Sequence, residues 1–162
     1  MKKATLCIFL LLWVSINLNA QVTRMNLTAS AEYSGGWFNV TSMGLNFEHQ
    51  VSNHWGMVLG AEKINYIHQY FTMSRVSVPV MVKFFSKPVN IAVGPYADLF
   101  TGLKSPMEIT DIQADDIYWG FLGDISHRFD LNSKFSVEPG IRMRYGLDEF
   151  HIGLNAALKY TF

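Results

Sequence analysis

The last thirteen residues, FHIGLNAALKYTF, place Phe150, Ile152, Leu154, Ala156, Leu158, Tyr160 and Phe162 at every second position. His151, Gly153, Asn155, Lys159 and Thr161 take the opposite phase. A period of two predicts a β-strand with one apolar face. Seven earlier stretches carry the same signature. Met25, Leu27, Ala29, Ala31 and Tyr33 alternate with Asn26, Thr28, Ser30 and Glu32; Met43, Leu45 and Phe47 alternate with Gly44, Asn46 and Glu48. Trp55, Met57, Leu59 and Ala61 alternate with Gly56, Gly60 and Glu62, Val58 being out of pattern. Val76 to Phe84, Val89 to Leu99, Ile117 to Ile125 and Phe135 to Tyr145 complete the set of eight.

Such strands suit two architectures. A β-sandwich turns its apolar faces inward, and a transmembrane barrel turns them outward to lipid. Three features select the barrel. The segments run to roughly ten residues, the length of a tilted membrane crossing. The polar faces are rich in Gly and carry charges near mid-strand. The aromatics gather at strand ends, with Tyr33, Trp119, Tyr145 and Phe150 at one rim. Phe47, Trp55, Phe84, Phe135, Tyr160 and Phe162 stand at the other. Two aromatic girdles are expected where a barrel meets the two membrane interfaces. The fold expected is therefore all-β: an eight-stranded antiparallel transmembrane β-barrel, an up-and-down meander.

The N-terminus supplies a compartment. Lys2 and Lys3, the apolar run from Leu6 to Ile16 and the small residue Ala20 predict a secretory signal peptide over 1–20, cut before Gln21. The barrel domain then occupies 21–162. The one cysteine, Cys7, falls inside the leader and away from the cut, which argues against a lipid anchor and against disulfides. Removing Lys2 and Lys3 leaves 11 basic against 13 acidic residues, a formal net charge of −2. That balance gives no basis for nucleic-acid binding. With the new N-terminus in the periplasm, VSNH, SKPV and FDLNSK become short inner turns. SGGW, YIHQYFTMS, TGLKSPMEITDIQADD and LDEF become outer loops. An even strand count returns the C-terminus to the inner side, where the last strand seals against the first.

The closing strand resembles the outer-membrane insertion signal, polar-x-Gly-x-x-hydrophobic-x-aromatic. Asn155, Tyr160 and Phe162 fit it, and Ala157 stands where Gly is usual. More broadly, VSVPVMVKFF, NIAVGPYADLF and VEPGIRMRYGL resemble strands of the porin-like "outer membrane protein beta-barrel domain" family. The resemblance implies a monomer in the outer membrane of a Gram-negative bacterium. Its partners would be outer-membrane lipid and lipopolysaccharide, with the barrel-assembly machinery during insertion. The family implies location more firmly than activity.

Several residues depart from regular alternation. Pro79, Pro95 and Pro139 each delete a ladder hydrogen bond, which predicts bulges or bends. The phase changes at Thr41 and Ser42 and at Ile64 and Tyr66 predict two more bulges. The inward set expected from the polar faces is Glu48, Glu62, Lys83, Asp98, Asp124, Glu138, Arg142, Arg144 and Lys159. Mixed signs predict a salt-bridge network, with Glu138 beside the Lys159 region and Asp124 on its other side. An eight-stranded bore is just wide enough for its own side chains. Gaps at Gly94, Gly120, Gly140 and Gly153 would allow the alternative, a narrow passage for water, ions or very small solutes.

Catalysis has little footing. Ser126 and His127 must face opposite ways, Ser52 and His54 sit at a turn, and His151 with Asp148 and Glu149 lacks a nucleophile. No catalytic residue, cofactor or metal is expected; His49 and His54 lack a third ligand, which His127 could supply only if the fold brings it close. The acidic stretch within 105–116, with Glu108, Asp111, Asp115 and Asp116, suits divalent cations shared with lipopolysaccharide or a solvated loop. The function expected is structural or porin-like with a filled lumen. A narrow channel, or a surface-binding or lipid-modifying barrel, are the alternatives.

Overall fold

The computed structural model describes residues 22–34, 39–86, 88–104, 117–146 and 149–162. The leader with Cys7 and Ala20, most of SGGW, the acidic stretch 105–116 and Asp148 lie outside the described residues. The strands are β1 (Val22–Tyr33), β2 (Asn39–Gln50), β3 (Trp55–Ile67), β4 (Thr72–Phe85) and β5 (Asn90–Lys104). They continue with β6 (Ile117–Ser126), β7 (Phe129–Asp130), β8 (Phe135–Gly146) and β9 (Glu149–Thr161).

Neighbouring staves pair antiparallel in chain order, and β1 pairs with both β2 and β9. β6 and β7 form one stave. Both lie on β8, and Ser126 opposite Gly140 and Phe129 opposite Val137 keep a single register. The result is a closed eight-stranded antiparallel barrel. The seam runs from Arg24 opposite Thr161 to Tyr33 opposite Ile152. The terminal Phe162 N–H also donates to the Thr23 carbonyl at 3.3 Å. Closure satisfies backbone groups whose exposure in hydrocarbon would cost several kcal/mol each.

Outward positions are the apolar ones: Leu154, Trp119 and Phe121 are 73%, 70% and 62% exposed. Inward positions are buried and largely polar. The rim at the end that holds the termini is a girdle of touching rings, with Trp55 against Phe84 at 4.8 Å, Phe135 against Tyr160 at 5.2 Å and Tyr160 against Phe162 at 5.3 Å. Turn chemistry follows composition. Asn132 Oδ1 accepts the N–H groups of Lys134 and Phe135 at 2.8 and 2.9 Å, an Asx turn.

Three expectations are corrected. β2 and β3 keep one register along their whole length, so neither phase change is a bulge. Val40, Ile64 and Tyr66 simply face inward and are fully buried with Met73 in an apolar cluster. Val58 is likewise inward, packed with Met81, Ala92, Tyr96 and Leu122. Nor do the prolines shift register. The ladder merely skips at Gly60 and Ala61 near Pro79, and at Val80 and Met81 near Pro95. Pro139 faces the break between β6 and β7, where the His127 N–H reaches the Pro139 carbonyl at 3.0 Å. Missing donors are absorbed by leaving single rungs unmade. Among the described residues the register shift lies at Ser74 and Arg75, where Thr101 is the extra residue of β5. Finally, YIHQYFTMS is mostly strand, because β3 runs to Ile67 and β4 begins at Thr72.

The inside-outside assignment is testable at mid-strand. Leu154→Arg and Val80→Arg should each destabilise the barrel by ~2–4 kcal/mol, the usual cost of Arg on lipid-facing wall near the midplane. Leu154→Phe should be nearly neutral. Heat-modifiable gel mobility and urea unfolding in micelles measure both. Equal tolerance of Arg and Phe at position 154 would reverse the assignment.

Candidate functional site: the charged lumen

The lumen is built from the inward phase of every strand. Twelve charged side chains are buried among the described residues. The cations are Arg24, Arg75, Lys83, Arg142, Arg144 and Lys159, and the anions are Glu32, Glu48, Glu62, Asp98, Asp124 and Glu138. Six of each makes the interior formally neutral. Isolated burial of any one would cost several kcal/mol. The layers, taken from the end that holds the termini (called inner) to the opposite (outer) end, show how that cost is offset.

The innermost layer is a four-charge ring. Lys159 Nζ lies 2.5 Å from Glu48 Oε2 and 2.5 Å from Glu138 Oε2. Lys83 Nζ donates to Glu48 at 2.8 Å and also to Glu138. Two ammonium groups thus share two carboxylates from β2, β4, β8 and β9. Arg24 adds a fifth member, donating to Glu48 Oε1 at 2.8 Å and Gln50 at 3.2 Å. Ser126 donates to Glu138 at 2.5 Å. Ser136, not Glu138, is the ladder partner of Lys159.

The middle layer crosses the bore. Arg142 forks onto Asp124 with Nε and Nη2, both at 2.9 Å, and donates Nη1 to Glu62 at 2.8 Å. In the eight-stave ring, β8 and β3 are diametrically opposite. One guanidinium therefore ties opposite walls together. Glu62 also accepts from Asn46 at 3.1 Å, and from Thr28 and Ser42 at 3.3 Å. Asp124 belongs to this layer and not beside Glu138, since it is the ladder partner of Arg142.

The outer layer mixes charge with aromatics. Arg144 donates to Glu32 at 2.9 Å and stacks over Tyr96 at 4.8 Å. Asp98 accepts the Tyr66 hydroxyl at 2.7 Å. Arg75 sits 4.1 Å from the Tyr118 ring and 5.8 Å from Phe100. His151 is buried, with Nε2 3.6 Å from Glu149.

Little space remains. Between the ring and the Arg142 layer lies a cavity of about 30 Å³, lined by Asn46, Met81, Asp124, Asn155 and Lys159 among others. That is room for about one or two waters. The glycines do not widen it. A Cβ on Gly94 or Gly153 would stand 2.0 Å from a backbone oxygen of the neighbouring strand, Val80 or Ala31. A Cβ on Gly120 would meet the Tyr96 ring at 2.5 Å. These positions are close approaches of wall to wall and leave none of the gaps the narrow-channel alternative needs. Beyond the ring, at the inner mouth, a vestibule of about 810 Å³ opens, lined by Arg24, Gln50, His54, His127 and Arg128 among others.

All nine sequence-expected lumen residues point inward. Arg24, Glu32, Arg75 and His151 are further members that the inward list omitted. Their strand phase marks them, since Arg24 and Glu32 share parity with Thr28, and Arg75 with Ser77. The apolar inward residues had no comparable signal. The Ser and His pairs serve local structure. Ser126 bonds Glu138, and Ser52 Oγ accepts the N–H groups of His54 and Trp55 at 3.3 and 3.0 Å. His49 contacts Thr23, away from the vestibule that His54 and His127 line. No group of three or more His, Cys, Asp or Glu is placed to hold a metal ion among the described residues.

No family model and no curated protein matches the chain. Solved structures do. The outer membrane protein AlkL in lipid bilayers aligns with a TM-score of 0.57 at 10% identity, over 89% of this chain and 92% of that one. Ail of Yersinia pestis gives 0.54 at 11%, over 87% and 97%. Neisserial surface protein A gives 0.52 at 15%, over 87% and 96%. The shared property at these identities is the fold, the small closed barrel.

Pairing inside the ring is testable by a double-mutant cycle. Lys159→Met or Glu138→Gln alone should cost about 3–5 kcal/mol, because each leaves a buried charge short of a partner. The double variant should cost less than the sum by about 1–3 kcal/mol. Urea unfolding in micelles measures the cycle. Simple additivity would mean the two side chains are not coupled.

Proposed function

We propose that this is an outer-membrane barrel whose own side chains fill its lumen, with a structural role and no diffusion pore. The observation that carries the reading is the Arg142 bridge from β8 to Glu62 on the opposite wall, stacked over the Lys83–Lys159–Glu48–Glu138 ring. A solute would have to break both layers and strand their charges. The fold it shares with outer-membrane proteins supports the location, as do the leader over 1–20 and the girdled C-terminal strand. Asn155, Tyr160 and Phe162 would then be read by the barrel-assembly machinery. Tyr160, held between Phe135 and Phe162, presents that motif at the inner rim. Export would leave both termini in the periplasm and the 68–71 connection outside. The mature barrel would be a monomer in contact with outer-membrane lipid and lipopolysaccharide.

Two measurements test this reading. The mature chain should begin at Gln21 by mass spectrometry and fractionate with the outer membrane; recovery as a soluble periplasmic species would refute the location. In planar bilayers the wild type should show no stable porin-sized conductance. Stable open-channel steps would replace the sealed barrel with the narrow-channel alternative.

A further inference from the structure

The barrel wall differs from side to side at the end remote from the termini. Tyr33, Trp119, Tyr145 and Phe150 form its aromatic belt, and all four stand on β1, β6, β8 and β9. These staves are contiguous and make half the ring. On β2 to β5 the outward positions near that end are instead Thr41, Lys63, Asn65, Ser74 and Thr101, with Ile67 closing β3 and no aromatic among them. Among the described residues, Lys63 is the one outward charge lying inside a strand and away from its ends. It is exposed, and its ladder partners Met43 and Val76 are apolar.

One step nearer the rim, Asn65 stands opposite Thr41 on one side and Ser74 on the other. Ser74 Oγ donates to Asn65 Oδ1 at 2.9 Å. That bond occupies the acceptor of the amide and leaves its two N–H donors. The patch therefore offers an ammonium, an amide NH₂ and the Thr41 hydroxyl. No carboxylate among the described residues forms an ion pair with Lys63. A lysine on lipid-facing wall costs ~2–4 kcal/mol at the midplane but only ~0–1 near an interface, where it meets headgroups. A clustered donor set with one positive charge matches a phosphate group, whose oxygens are strong acceptors and form short charge-assisted bonds.

We propose that this patch binds the phosphate of a phosphorylated lipid headgroup in the leaflet facing away from the termini. The proposal rests on the membrane reading above. Lys63 supplies the charge, Asn65 and Thr41 supply directed donors, and Val76, Leu99 and Met43 below them contact the acyl chains. The aromatic half of the rim fixes depth, and the polar half selects the headgroup.

The test uses the full mature chain in vesicles of digalactosyldiacylglycerol, a bilayer-forming lipid with no phosphate. A minority lipid is either phosphatidic acid or the diacylglycerol with the same chains. Heat-modifiable mobility first reports insertion in each vesicle. Native mass spectrometry after gentle extraction then counts retained lipid. The wild type should retain phosphatidic acid in preference to diacylglycerol. Lys63→Met should cut that retention roughly fivefold, the effect of one interfacial cation. Lys63→Arg should preserve it, and Asn65→Leu should weaken it. Undiminished retention by Lys63→Met would overturn the proposal and point to the chain's own groups or an apolar groove. Equal retention of diacylglycerol would do the same. Displacement of phosphatidic acid by dissolved inorganic phosphate would refute a headgroup site in favour of a free-anion site. Failure to insert in any vesicle would refute the membrane reading itself, and the proposal with it.

Discussion

A carboxylate removed from water needs a cation beside it, and this barrel holds six of each in a bore too narrow for bulk solvent. That requirement organises the rest. It explains why the inward phase of nearly every strand carries a charge, and why the charges come in layers with shared partners. Lys83 and Lys159 each serve two carboxylates, so the ring survives small movements of any one side chain. Arg142 uses its fork on Asp124 and its remaining nitrogen on Glu62, which sets the separation of opposite walls. A soluble protein packs apolar side chains inward and solvates its charges. Here the apolar face points outward, and the protein must solvate its own charges.

The outward half of this design was legible in the sequence. Alternation needs only a period, and residues such as Leu154, Trp119 and Val80 report their side of the wall by phase alone. The closing strand was legible for the same reason. Inward apolar residues were harder. Val40, Ile64 and Tyr66 read as register breaks because a polar lumen was assumed, whereas the strands are regular and the lumen is partly greasy. The partners within the lumen were harder still. Glu48 meets Lys83 and Lys159, which lie 35 and 111 residues away, and Arg142 meets Glu62 across the ring. Such contacts depend on strand tilt and stagger, which alternation does not encode. The glycines misled for a related reason: a missing side chain signals either a gap or a close approach, and only the neighbouring backbone distinguishes them.

One apolar cluster and the four-charge ring occupy different sides of the interior. Val58, Met81, Ala92, Tyr96 and Leu122 come from β3 to β6, while the four-charge ring draws on β2, β8 and β9 with only Lys83 from β4. Lys83 thus reaches from the apolar side into the charged one. The outside is divided as well, since the aromatic rim covers the staves from β6 through β1.

The central claim is that Lys159 is held as an ammonium between two carboxylates, out of reach of solvent. Solid-state nuclear magnetic resonance of the protein in lipid bilayers, labelled at lysine nitrogen and glutamate carbon, addresses it directly. The account predicts dipolar transfer from Lys159 Nζ to the side-chain carboxyl carbons of both Glu48 and Glu138, with ammonium protons that exchange slowly with water. A Lys159 signal with rapid proton exchange and no transfer to either glutamate would contradict it.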